Sequence, residues 1–403
     1  MPIISFDGNN IALEDVQDNP ARYATRLGRA KVVPGYAVCG CMRPVPGRPL
    51  RLVVRRHGTV FHLARWPDEG PLHNRDTCPF FSDKPLQSQG GPDPDDAIRI
   101  TSDGLDVKLD VSFSIRTAGA VTRRPGTAGT GSHSRKAAPL LAFLQRLWLD
   151  ARLNHWTGGA HRNWGTCNAQ VLAQLGDGKI NGKPTQDVVH VMRLYEKDAA
   201  ATIKVEFDAF LARVTRTDAA TERGIVIAEL KSVEKSKYGF AVKIRQTYET
   251  FYAAPEIIDA AAKSYRHAWP QIGKSDARVV AVLVIERTKD GNLRIVDLAA
   301  QLCSRAFIPC DSSYEVEMAN RLVVERRRFE KPMRFSEADE VLPDFILSDT
   351  SPPAFIEVYG MESNAQYLAR KAEKQAIYTR KQTRVVEWTP PADINTVSLP
   401  RAT

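Results

Sequence analysis

Cysteine and histidine residues near the N-terminus have the types and spacing of a metal site. Cys39 and Cys41 are separated by one residue, and His73 and Cys78 share a loop rich in Pro, Gly and Asp. Thiolate and imidazole ligands in sets of four suit tetrahedral Zn²⁺ and leave no open position for water. We therefore predict a structural zinc site at these residues, with His62 as the reserve ligand because it lies within a strand. Buried reduced cysteines are the alternative interpretation.

Acidic residues near the C-terminus could do different chemistry. Asp344 begins a short strand, Glu357 lies on the next strand, and Glu315 lies in line with the apolar face of a preceding helix. A carboxylate that points toward a core needs a cation or a metal as its partner. Carboxylates that hold Mg²⁺ (or Mn²⁺) activate a water and neutralise the charge that develops on a phosphate. The three acids are therefore candidate ligands of a divalent cation.

The elements that must position these acids follow from hydrophobic periodicity and turn residues. The pattern predicts a helix, two strands, a helix and a strand over residues 314–325, 342–348, 354–360, 364–380 and 383–388. With acids at those positions, the last ninety or so residues resemble the PD-(D/E)XK nuclease superfamily. The resemblance implies a restriction-endonuclease-like α/β domain in which Asp344 and Glu357 bind the magnesium, while Glu315 takes the place of the family's first-helix acid.

The chain departs from that family at one position. Tyr359 stands two residues after the strand acid, where the family pattern has a lysine. Some branches carry the basic residue on the following helix, and there we predict that Lys371 orients the water or stabilises charge. Arg370, Lys374 and Tyr367 are the predicted nucleic-acid contacts on the same helix. The alternative is a non-catalytic nucleic-acid-binding or assembly protein that keeps the fold.

Composition is compatible with a nucleic-acid partner. The 403 residues carry 56 Lys and Arg against 47 Asp and Glu, a formal net charge of +9. Cations that displace counterions favour binding to a polyanion. We expect DNA as the partner, with phosphate contacts from Arg326–Arg328; RNA and a homodimer remain open. Residues 1–20 lack a signal-peptide pattern and the most apolar stretch, Val279–Ile285, is too short to span a bilayer, so we expect a cytoplasmic protein.

The fold class predicted from these patterns is α+β multidomain. We predict a β-rich zinc module, a flexible linker, a central α+β region and the nuclease-like domain over residues 1–116, 117–139, 140–305 and 306–403. Cys39, Cys41 and Cys78 also resemble the three N-terminal cysteines of an uncharacterised bacterial family of about this length. That resemblance implies a conjugative or mobile-element context and no established activity. A zinc-stabilised protein-interaction module without DNA affinity is the third hypothesis.

Overall fold

The computed structural model describes most of the chain, and residues 365–367 by their backbone only. The described ranges are 2–43, 47–58, 60–75, 77–82, 97–101, 103–116, 138–159, 162–333, 341–360 and 365–403. They form an α+β protein with nine α-helices and five sheets. The predicted linker lies outside the described residues except for 138–139. Within the described ranges, no helix is both long and apolar enough to cross a membrane.

The N-terminal elements form one antiparallel sheet with two helices. They are β1 (Ile3–Phe6), β2 (Asn9–Ala12), α1 (Leu13–Asp18), α2 (Pro20–Val32), β3 (Ala37–Cys39), β4 (Arg51–His57) and β5 (Val60–Arg65). The strand order is β2-β1-β3-β4-β5. Leu52 and Val54 of β4 are buried by the two-residue period of a strand, and Tyr23 and Leu27 of α2 pack into the same core. The predicted hairpin at the His-Gly turn is confirmed by the pairing of His57 with Val60.

Short elements fill the next segment. They are β6 (Ile98–Ile100), β7 (Leu105–Val107), β8 (Ser114–Arg116), α3 (Leu140–Asp150), β9 (His155–Thr157), α4 (Trp164–Leu175), β10 (Lys179–Ile180), β11 (Lys183–Pro184), α5 (Thr185–Val188), β12 (Val189–Val191), α6 (Ala200–Leu211) and β13 (Ala220–Glu222). The alternating run at 105–115, which predicts one strand, is two strands in separate sheets. Phe143, Leu144, Leu147 and Trp148 form the buried face of α3, at helical spacing.

Five strands in the middle of the chain pair with one another in a closed ring. The elements are β14 (Gly224–Ser236), β15 (Gly239–Ile244), β16 (Thr250–Ala253), α7 (Pro255–Ser264), β17 (Ala277–Arg287) and β18 (Leu293–Ser304). Strand β14 pairs with β17 along its first half and with β15 along its second half, after a bulge between Leu230 and Ser232. The ring runs β14-β15-β16-β18-β17 and returns to β14, and only β16 and β18 are parallel within it.

The C-terminal elements form a mixed sheet between two helices. They are α8 (Ser313–Val324), β19 (Arg328–Glu330), β20 (Phe345–Leu347), β21 (Ala354–Val358), α9 (Ala365–Arg380) and β22 (Val385–Trp388), in the sheet order β22-β21-β20-β19-β9. Strands β21 and β22 are parallel, and the other neighbours are antiparallel. All five predicted elements are present, and β19 is an additional strand. The Ser312 hydroxyl accepts a hydrogen bond from the Glu315 amide and caps α8.

The phosphate contacts predicted for the arginine run of this region are wrong for its middle residue, Arg327. The run Arg326–Arg328 was expected to contact phosphates. Arg327 is instead buried, and its guanidinium donates to both carboxylate oxygens of Asp349, at 2.7 and 2.8 Å. The burial follows from β19, because that strand turns the chain inward directly after α8. Arg327 therefore stabilises the fold and has no free donor face for a phosphate.

Candidate functional site

The four predicted zinc ligands come together in the structure. The ligand atoms of Cys39, Cys41, His73 and Cys78 all lie within 4.8 Å of one another. The Sγ atoms of Cys39 and Cys78 are 3.7 Å apart, and His73 Nδ1 lies 3.4 Å from Sγ of both Cys41 and Cys78. Tetrahedral Zn²⁺ with its usual bond lengths places two sulfurs about 3.8 Å apart and sulfur and nitrogen about 3.6 Å apart. The cluster therefore fits one tetrahedral ion, and the reserve ligand His62 is not part of it.

Backbone hydrogen bonds hold the two halves of this cluster. The amide of Cys39 at the end of β3 donates to the Leu50 carbonyl, and the amide of Gly40 donates to the Ile3 carbonyl, both at 2.8 Å. On the other side, Asn74 Oδ1 accepts from the Thr77 amide at 2.9 Å and shapes the turn between the last two ligands. These contacts fix ligands from separate parts of the chain before a metal binds.

The cluster has the electrostatics of a cation site. The Asn74 amide donates to Cys41 Sγ at 3.4 Å, and contacts with Cys39 lower the pKa of Cys41. The same contact raises the pKa of Cys39 to about 12, and burial raises the pKa of Cys78. Cys41 is therefore the thiol that loses its proton most readily. A divalent cation would favour loss of the remaining thiol protons, since thiolates are the ligand form.

Asp344 and Glu357, the predicted magnesium ligands, are neighbours across strands β20 and β21. The Asp344 amide donates to the Ile356 carbonyl at 3.1 Å, and Asp344 Oδ2 accepts from the Val358 amide at 2.7 Å. The Asp344 side chain therefore lies against the strand that carries Glu357. Glu357 is 1% exposed, and burial together with the charge of Asp344 raises the pKa of Glu357. A buried carboxylate beside a half-buried one favours a cation as their neighbour.

One lysine of α9 reaches Glu357, and a second lies over the neighbouring Tyr359 ring. Lys374 Nζ donates to both carboxylate oxygens of Glu357, at 2.8 and 3.0 Å, and to the Leu342 carbonyl at 2.8 Å. Lys371 Nζ lies 4.0 Å from the centroid of the Tyr359 ring. Lys374, predicted from the sequence as a nucleic-acid contact, is thus the lysine that pairs with Glu357. Lys371, the predicted catalytic lysine, lies over the residue that replaces the motif lysine.

The remaining predicted residues of α9 are not brought into the site by any described contact. The Arg370 side chain is exposed, and the side chain of Tyr367 lies outside the described residues. Sequence reasoning missed Tyr378, whose hydroxyl donates to Glu357. Its spacing of four residues from Lys374 could have placed both on one helix face.

Glu315 contacts Asp344 only indirectly, through a lysine that the sequence analysis missed. Lys331 Nζ lies 2.6 Å from Glu315 Oε2, 2.8 Å from Asp311 Oδ2 and 3.9 Å from Asp344 Oδ1. Burial raises the pKa of Glu315 to about 7. Lys331 is 4% exposed and is followed directly by a proline, and no sequence pattern marks it as a site residue. One buried ammonium therefore links three carboxylates.

The carboxylates form a pair rather than a preformed triad. Within the described part of the chain, the Cys and His cluster is the one group of three or more such ligands with all ligand atoms within 4.8 Å. Mg²⁺ keeps several waters and is often bound by one or two carboxylates, so Asp344 and Glu357 suffice for the donor set.

The fold and the two sites define an α+β protein with a Cys₃His cluster and, on a separate mixed sheet, a carboxylate pair in which the buried Glu357 is bound by Lys374. The chain belongs to the family described as Protein of unknown function (DUF1173), which it matches over residues 10–391. The match agrees with the expected membership of an uncharacterised family. No curated protein and no solved structure matches the chain.

Proposed function

We propose that this protein is a metal-dependent nuclease that acts on DNA. Its site would lie where the start of β20 adjoins the end of β21. The observation that carries the proposal is the placement of the half-buried Asp344 against the strand of the buried Glu357. Lys374 of the following helix binds Glu357, and Lys371 lies over the Tyr359 ring. A bacterial mobile or conjugative element is the expected context. The Cys₃His cluster would hold a structural zinc ion, because its four ligands leave no open position.

The arrangement of elements supports this proposal. From α8 to β22 the order is helix, three strands, helix and strand, and the three consecutive strands are antiparallel neighbours followed by a parallel one. This order contains the helix, two strands, helix and strand on which the resemblance to the PD-(D/E)XK superfamily rests, with β19 as a further strand. Asp344 immediately precedes the middle strand and Glu357 lies on the third, as the resemblance implies.

Each residue would have a separate role in cleavage. Asp344 and Glu357 would hold Mg²⁺ (or Mn²⁺), which supplies a polarised phosphate oxygen and a water of lowered pKa. Lys374 neutralises Glu357 before the ion binds, so the buried carboxylate is never left unpaired. Lys371, over the Tyr359 ring, is the basic residue nearest to the motif position and would stabilise charge that develops on the phosphate. Glu315 is a positioning residue, since it acts on Asp344 through Lys331.

The test is cleavage of supercoiled plasmid and of single-stranded DNA with Mg²⁺ or Mn²⁺. We expect wild type to cut, and Asp344→Ala and Lys371→Ala to lose at least about a hundredfold in rate, the usual loss for one charge-stabilising group. The matched control is Asp259→Asn, an exposed carboxylate of α7. Equal cleavage by all four proteins would refute the site, because the activity would then come from elsewhere.

A non-catalytic nucleic-acid-binding protein is the second candidate function. It is favoured by the contacts of Glu357, whose carboxylate is already paired with Lys374 and Tyr378. A satisfied ion pair of this kind could replace a metal in a fold that has lost its chemistry. No cutting with either metal, together with retardation of DNA that Asp344→Ala retains, would establish this function instead.

A further inference from the structure

The closed ring of strands has a defined topology. If its strands are numbered in chain order, their order in the ring is 1-2-3-5-4-1, strands 3 and 5 are parallel, and helix α7 joins strands 3 and 4. This is the topology of the OB-fold, a five-stranded barrel that binds oligonucleotides or oligosaccharides on the face of strands 2 and 3. A fold does not establish a function, so the surface itself must carry the inference.

An open groove lies beside strand 3 of the barrel. It has a volume of about 580 Å³ and is bounded by β16, the start of β18, the turn between β17 and β18, and the C-terminal half of α6. Its lining includes Tyr248, Tyr252, Arg287, Asn292 and Asp208. The groove is therefore built from strand 3, strand 5 and the loop between strands 4 and 5, together with a helix from outside the barrel.

Tyrosine rings are unusually exposed in this groove. Tyr248 is 88% exposed and Tyr252 41% exposed, and Tyr195 forms an edge-to-face pair with Tyr248 at 6.2 Å between ring centroids. Aromatic side chains contribute most to stability when buried, so a group of exposed rings in one groove indicates a binding surface. Planar rings on an open barrel face are suited to stacking with unpaired bases.

Basic side chains surround the tyrosines. Between residues 231 and 245 five side chains are basic and only Glu234 is acidic, so strands 1 and 2 carry an excess of positive charge. Lys243 is paired in register with Thr250 of β16, and Tyr252 is paired in register with Arg294 of β18. Cations thus lie on both sides of the tyrosines, at the positions where a nucleic-acid backbone would pass.

Two acidic side chains, Asp208 and Glu249, line the groove itself. Asp208 is paired with Lys204 at 2.6 Å, and Arg294 shares the buried Glu286 with Arg223. Because two arginines share one carboxylate, one positive charge of that cluster remains to attract an anion. The net positive charge therefore lies beside the tyrosines, at Lys243 and the Arg223–Glu286–Arg294 cluster, and not in the groove lining.

We propose that this barrel face binds single-stranded DNA, with bases stacked on Tyr248 and Tyr252 and phosphates near Lys243 and Arg294. Unpaired bases are required, since the faces of paired bases are covered by their neighbours in a duplex. The choice of DNA over RNA rests on the proposed function of the C-terminal site. The barrel would hold a strand independently of cleavage.

The experiment is fluorescence anisotropy of the full chain with a labelled 20-nucleotide oligo-dT, in EDTA and over a range of salt concentrations. The EDTA prevents cleavage, so the result does not depend on the proposed nuclease. We expect Tyr248→Ala and Tyr252→Ala each to weaken binding by about 5- to 150-fold, while the Phe variants retain it because they keep the ring. Lys243→Ala should weaken binding and reduce the slope of log K against log salt by about 0.7.

Controls separate this inference from the proposed function. Glu317→Gln, at an exposed carboxylate of α8, should bind oligo-dT as wild type does, whether or not wild type cuts DNA. Leu72→Ala, an exposed apolar residue of the N-terminal module, should also bind normally. Unchanged binding by a Tyr248→Ala, Tyr252→Ala double variant would overturn the inference, as would no binding by wild type. Tighter binding of oligo-U than of oligo-dT would overturn the assignment to DNA.

Discussion

Loss of the metal cluster should destabilise the N-terminal module by a predictable amount. The cluster joins β3 to a distant loop, because Cys41 and His73 are 32 residues apart along the chain. Cys39 and Cys78 are buried, so the link also lies inside the module core. We therefore expect His73→Ala, and chelation of wild type, each to remove one cross-link from the folded module.

The size of the effect follows from loop closure. A cross-link that closes a loop of 32 residues restricts the unfolded chain by about 3.7 kcal/mol at 25 °C, if the entropy relation for disulfides applies to a metal. The two perturbations should not add, since each removes the same link. A His73→Ala variant should therefore be insensitive to the chelator that destabilises wild type.

The assay combines zinc content with urea denaturation. We expect one zinc per chain in wild type and none in His73→Ala. Hydrogen exchange of the β3 amides monitors the unfolding of the N-terminal module. Cys303→Ala is the matched control, since Cys303 is buried outside the cluster: it should lose packing energy and keep its zinc. Wild type purified without metal, and unaffected by the chelator, would refute the zinc site and the cross-link argument together.

The buried charges give further predictions for urea denaturation. Arg327→Ala should cost about 3–5 kcal/mol of unfolding free energy, because the Asp349 carboxylate stays buried without its cationic partner. Lys374→Met should have a similar cost, and adding Glu357→Gln should recover most of it; no recovery would mean that charge is not the cause. Glu315, with its pKa raised to about 7, keeps its proton in the folded chain where the unfolded chain has lost it. Metal-free stability should therefore fall, by at most about 3–4 kcal/mol, as pH rises from about 4.3 to 7, and Glu315→Gln should flatten this slope.

The sequence predicted the zinc ligands because ligand chemistry and local spacing coincide. One residue separates Cys39 from Cys41, and a turn shaped by Asn74 joins His73 to Cys78. A local pair of this kind can be recognised without knowledge of the fold. The hairpin strands that carry Asp344 and Glu357 were predicted for the same reason, since alternation and Pro-rich turns are local patterns.

Contacts between distant segments could not be predicted in this way. Lys331 is chosen as the partner of Glu315 by packing, and its only local context is a three-residue strand. Arg327 lies in an arginine run that resembles an exposed helix end, yet its partner Asp349 follows 22 residues later. Closure of the barrel depends on the two halves of β14 pairing with different strands, which one-dimensional periodicity cannot express.

The carboxylate site depends on a strand far from it in sequence. Asn154 lies just before β9 and makes two hydrogen bonds to Lys331. The Lys331 amide donates to the Asn154 carbonyl, and the Asn154 side-chain amide donates to the Lys331 carbonyl, both at 2.9 Å. Strand β9 also completes the edge of the C-terminal sheet, and Phe329 and Phe345 of that sheet share one apolar core with the barrel. Because Lys331 sets the charge around Asp344, the barrel region and the carboxylate pair are one structural unit. Their proposed activities, holding a strand and cutting it, would therefore be carried on a common core.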